Sequence, residues 1–145
     1  MSPSGHIAAS VLIAPLAANP VGALLLGVLQ HALLDRAASE HRLNWTSRDE
    51  LRRNVRFIVL ECALVLLALW IAWRAGPLAW WSVIGYFVTE LPDAYRSLHD
   101  PGLWMRGEHL VWWHRPLRGK PPPDWPPGLT LIISAVLLGA SYLSA

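Results

Sequence analysis

The sequence predicts an all-α protein embedded in a membrane, a polytopic helical bundle of four to five membrane helices with one further segment at the interface. Three observations predict it. The 145 residues are 54% hydrophobic and only 15% charged, whereas soluble domains carry charge on about a quarter of their residues. Nine tryptophans and twelve prolines exceed what a small water-soluble core needs, and a bilayer accounts for both. Apolar stretches alternate with polar loops that hold nearly all the basic residues. Residues 1–145 read as a single membrane domain.

The first apolar region runs from Ile7 to about Leu34 and is interrupted by Pro15 and by the pair Asn19 and Pro20. One straight helix of that length would measure about 42 Å, against a hydrocarbon core of about 30 Å. One kinked, tilted helix is one solution. Two short helices over 6–18 and 20–35, forming a hairpin with its turn at Asn19 and Pro20, are the other. The breakers favour the second, because proline cannot continue the backbone ladder and restricts the residue before it.

Ser47, Arg48, Asp49 and Glu50 have the spacing of a capping box ahead of an apolar run. The next helix is therefore expected over 48–74, with Arg52, Arg53 and Arg56 snorkelling from its first turns. Glu61, further in, is expected to pair with an arginine or a polar neighbour. A tight turn at 74–77 leads into a helix over 78–95, with Trp80 and Trp81 where an aromatic belt belongs. Residues 103–114 are apolar and aromatic but contain Arg106 and Glu108 and are too short to span, so they read as an interfacial segment. A proline-rich strap over 116–127 is a stiff extended spacer. The last helix, 128–144, carries no charge.

Charge placement orients this layout. Arg36, Arg42, Arg48, Arg52, Arg53 and Arg56 surround the first polar loop, and Arg96, Arg106, Arg115, Arg118 and Lys120 lie in the second. Two spans separate the loops, so both fall on one side, which the positive-inside rule makes the cytoplasm. The N-terminus is then cytoplasmic as well, while Asn19, Arg74 and the C-terminus face out. No lysine or arginine precedes the first apolar run, so a cleaved signal peptide is not expected. The arginines flank apolar segments and form no separate basic module, which speaks against nucleic acid binding. The lone Cys62 excludes an intrachain disulfide framework.

This topology gathers His6, His31, Asp35, His41, Glu90, Asp93, His99, His109 and His114 near the cytoplasmic face. His31 and Asp35 are four apart and share a helix face. Glu90 and Asp93 are three apart at the matching end of a later helix, with Pro92 disturbing the ladder between them. Ionisable groups ending two apolar helices at one level point to function, because such groups are costly at membrane depth. One or two imidazoles with two or three carboxylates suit a divalent ion such as zinc, manganese or iron. Candidate ligands are His31, Asp35, Glu90 and Asp93, with His6 and His109 beside them. Glu90 and Asp93 are the candidate catalytic carboxylates, one serving as general base toward a water acidified by the metal. The bland alternative makes these pairs ordinary helix-end partners, His31 with Asp35 or Gln30 and Asp93 with Arg96. His109 and His114, five apart, do not share a helix face, which favours an interfacial anchor with incidental histidines.

The chain resembles the small bacterial membrane-bound, metal-dependent hydrolase-like proteins. The resemblance rests on His6 ahead of an Ala-rich apolar start, on Leu29-Gln30-His31-Ala32-Leu33-Leu34-Asp35, and on Leu91-Pro92-Asp93, and it covers about residues 5–115. It implies a helical domain in the bacterial inner membrane with metal ligands at His31, Asp35 and Asp93. The His-Arg followed by Thr-His-Ser that such proteins often show is absent; His109 with His114 and Arg115 stands loosely in its place.

Two functions from different classes follow. One is a hydrolase acting at the cytoplasmic leaflet on a lipid ester or phosphate. The other is a non-catalytic accessory subunit that packs into or stabilises a larger membrane complex, to which abundant tryptophan, little extramembrane mass and a proline-rich strap are suited. A transporter is a weaker third, because four or five short spans would need a homo-oligomer to enclose a path.

Overall fold

The structure, a computed structural model, describes residues 3–37, 48–99 and 127–145, and every element among them is helical. The elements are α1 (Pro3–Ile13), a 3₁₀ turn (Ala14–Leu16), α2 (Pro20–Ala37), α3 (Arg48–Ala75), α4 (Pro77–His99) and α5 (Pro127–Ser144). The segment 103–114 and the strap 116–127 lie outside the described residues, except Pro127, which opens α5.

The first apolar region is two helices. Pro15 falls in the 3₁₀ turn, which Ala17 closes by donating its N–H to the Ala14 carbonyl at 3.0 Å. Asn19 then caps α2, its side-chain oxygen accepting the Gly22 N–H at 2.9 Å, while Pro20 takes the first helical position, where no N–H is missed. The two helices run antiparallel: Gln30, late in α2, donates to Ser10 Oγ at 3.0 Å and to the His6 carbonyl at 3.3 Å.

α1 is the centre of the molecule. Every residue from Ser4 to Val11 is buried, and the helix packs against α2, α3, α4 and α5. A helix without an exposed face belongs in an interior. Ile7, Val11 and Ala14 meet Ala68, Ile71 and Ala72 of α3, Ala79 and Val83 of α4, and Leu138 of α5 in one core. Ser141 of α5 seats its hydroxyl 3.0 Å from the Ala8 carbonyl and 2.7 Å from that of Leu137.

α2 and α4 lie side by side in the same direction at the closest backbone approach. A Cβ on Gly27 would fall 1.9 Å from the Ser82 carbonyl oxygen, and one on Gly85 would fall 2.2 Å from that of Leu24. Only glycine fits at either position. Four residues on from this seam stand His31 and Thr89.

α3 and α4 are joined at Gly76, whose φ of +97° is one that other residues rarely adopt. α4 continues through Pro92 to His99, beyond the expected end at 95. Proline removes only the bond to Val88, and the turns on either side keep theirs. Among the described residues one helix, Val55–Ala75, is long and apolar enough to cross a membrane; Pro3–Leu16, Pro20–Asp35 and Ile132–Ser144 are apolar but shorter.

Candidate metal centre

Three helices bring four side chains together. His6, in the first turns of α1, points Nε2 at Asp35 Oδ1 of α2, 2.7 Å away. His31, one turn before Asp35 on the same face, places its own Nε2 2.7 Å from Asp35 Oδ2 and 2.8 Å from Glu90 Oε1 of α4. The ligand atoms of His6, His31 and Asp35 lie within 4.8 Å of one another. The hairpin unites His6 with Asp35; the parallel seam unites His31 with Glu90.

A polar and aromatic frame holds the two rings. Tyr86 stacks on His6 at 5.1 Å between centroids, tilted by 11°, and meets His31 edge-on at 5.0 Å. The imidazoles meet each other edge-on at 4.6 Å. Thr89 Oγ1 is hydrogen-bonded to His31 Nδ1 and donates to the Tyr86 carbonyl at 2.5 Å.

Exposure is graded across the cluster. The His31 and His6 side chains are 0% and 3% exposed, against 13% for Asp35 and 29% for Glu90. The cluster is therefore most open on its carboxylate side, at Glu90. Two imidazoles and two carboxylates suit a divalent cation of the zinc, manganese or iron type. His6 Nδ1 is buried with no hydrogen-bond partner.

Of the other candidate residues, Asp93 falls on α4 and its side chain lies outside the described residues, as does all of His109. Glu61 does not join the cluster through any described contact; its Oε1 accepts the Ser4 N–H at 2.7 Å, so among the described residues its polar neighbour is the backbone of α1. Tyr86 and Thr89 escape sequence reasoning, because an aromatic and a hydroxyl residue inside an apolar helix carry no pattern of their own. The clue available was their spacing from Glu90, which puts all three within about one turn.

Comparison with family models, with curated proteins and with solved structures gives no match to this chain.

Proposed function

We propose that the protein is a multi-pass membrane enzyme that holds one divalent metal ion on His6, His31 and Asp35 and hydrolyses a lipid ester or phosphoester at the cytoplasmic leaflet. The observation that carries this is the convergence of two buried imidazole Nε2 atoms on a single carboxylate, with a second carboxylate on the more open side. Two imidazoles and one carboxylate make a three-residue ligand set that leaves positions for water and substrate. A divalent ion supplies, when bound, polarisation of the scissile carbonyl or phosphoryl oxygen and acidification of water. Glu90, the most exposed of the four, takes the proton from the attacking water and returns it to the departing alcohol. Asp93, three residues further on, is the second carboxylate to test in that role. The resemblance to membrane-bound hydrolase-like proteins leads to the same proposal.

The surface supports a membrane setting. Val21, Leu25, Leu29 and Leu33 of α2 are all more than half exposed, one turn apart along a single face, and α3, α4 and α5 carry comparable rows. Soluble monomers rarely expose so much contiguous apolar surface. Trp70 is stacked near Tyr142 at 6.2 Å and lies under the Arg74 guanidinium at 5.6 Å, a grouping suited to one interface. Glu90 lies about 14 Å along α4 from Trp81, toward the opposite face.

Metal analysis of gently purified protein in detergent tests the proposal. About one equivalent of zinc, manganese or iron per chain is expected, with most of it lost in the His31→Ala, Asp35→Ala double variant. Absence of metal from the wild type, with the double variant fully functional in cells, would overturn it.

A further inference from the structure

We infer that Thr89 is a positioning residue of this centre, whose hydroxyl fixes the tautomer of His31 so that Nε2 presents its lone pair to the metal ion; the inference rests on the metal proposal above. The proton inventory leads there. Thr89 has one hydroxyl hydrogen, and it is committed to the Tyr86 carbonyl at 2.5 Å, since a carbonyl only accepts. Toward His31, Thr89 Oγ1 is left as an acceptor, so His31 Nδ1 is the donor in their hydrogen bond. In the neutral, metal-binding form of the ring, which carries one hydrogen, that leaves Nε2 with its lone pair.

Nε2 faces Asp35 Oδ2 at 2.7 Å and Glu90 Oε1 at 2.8 Å. A lone pair among carboxylate oxygens is repelled unless a proton or a metal ion stands on it. Without metal, a second ring proton on Nε2 is shared between the two carboxylates; a divalent ion would displace that proton and take its place between His31 and Asp35. Thr89 is only 6% exposed, so water does not readily replace its hydroxyl. Metal-ligating histidines are oriented in this way by an acceptor on their other nitrogen.

The bland alternative is a threonine that bonds back to its own helix and touches His31 incidentally. The two differ in what removal of the hydroxyl does to the ring. The test uses the full chain in detergent, cobalt(II) as the probe metal, and ¹⁵N-histidine NMR of the metal-free and cobalt- or zinc-loaded protein. Wild type is expected to show His31 with hydrogen on Nδ1, and to bind cobalt with a visible spectrum sensitive to its coordination. Thr89→Val should bind cobalt about 10- to 100-fold more weakly, with an altered spectrum and a mixed tautomer population. Thr89→Ser should restore both. If the valine variant does not fold, Thr89→Ala against Thr89→Ser gives the same contrast.

Valine and serine variants that bind cobalt alike, with the wild-type spectrum and tautomer, would overturn the role of Thr89 while leaving the metal centre standing. A wild type with no hydrogen on Nδ1 would overturn it as well. Failure of the wild type to bind cobalt or zinc would remove the metal proposal itself and Thr89's role with it.

Discussion

Ser4 sits in the first turn of α1, where backbone N–H groups have no partner within the helix, and Glu61 reaches across from α3 to accept its hydrogen. Glu61→Ala leaves a buried donor unsatisfied and is expected to cost about 1–3 kcal/mol, whereas Glu61→Gln keeps an acceptor and should cost clearly less. Thermal unfolding in detergent separates the two, and equal losses would mean that the carboxyl does more than close this bond. Tyr86→Phe keeps the ring stacked on His6 and Tyr86→Leu removes it from the core; Tyr86→Leu is expected to lose stability and to bind metal more weakly than Tyr86→Phe, measured by thermal unfolding and chelator competition. The residue scale also shows what a sequence reveals and what it conceals. The four-residue spacing of His31 and Asp35 is legible on any helix. His6 joins them through the hairpin, lying thirteen residues before Asn19 while Asp35 lies sixteen after it, so its place follows once the turn is located. Thr89 and Tyr86 are not legible, because their roles depend on which face of α4 meets α2.

The seam between α2 and α4 governs the site from one turn away. Gly27→Ala or Gly85→Ala would press a methyl into a backbone carbonyl, which has no rotamer to change, so the helices must separate. A loss of at least about 2 kcal/mol is expected, together with weaker metal retention, because separation pulls His31 from Glu90. Wild-type stability and metal content in either variant would mean that the helices approach less closely than described. Asn19→Ala removes the cap of α2 and is expected to cost about 1 kcal/mol while leaving metal content unchanged. Helices are legible here from apolar runs bounded by proline, asparagine and glycine. The central place of α1 is not, since a hydropathy pattern gives similar weight to a helix facing lipid and one enclosed by its neighbours. The passage of α4 through Pro92 lies within the helix expected over 78–95, and only its extension to His99 goes beyond the sequence reading.

Across the whole molecule, the proposed topology puts Asn19 and Arg74 on the outer side and the basic loops inside. Cys62 is the lone cysteine, so a Cys62→Ser background permits single-cysteine labelling. Asn19→Cys and Arg74→Cys should react with an impermeant maleimide in intact cells, and Arg42→Cys only after lysis; the opposite pattern would invert the topology. The enclosed position of α1 has a consequence for how the protein is made. α1 precedes α2 and α3 in the chain, yet its buried Ser4 N–H, His6 Nε2 and Ser10 hydroxyl find their partners on those two helices. Left alone in lipid, those groups would face hydrocarbon at a cost. Under the proposed membrane setting, α1 reaches its packed state only once α2 and α3 are present, and a chain halted before α4 would lack Tyr86, Thr89 and Glu90. Such a fragment would leave its histidines half-enclosed.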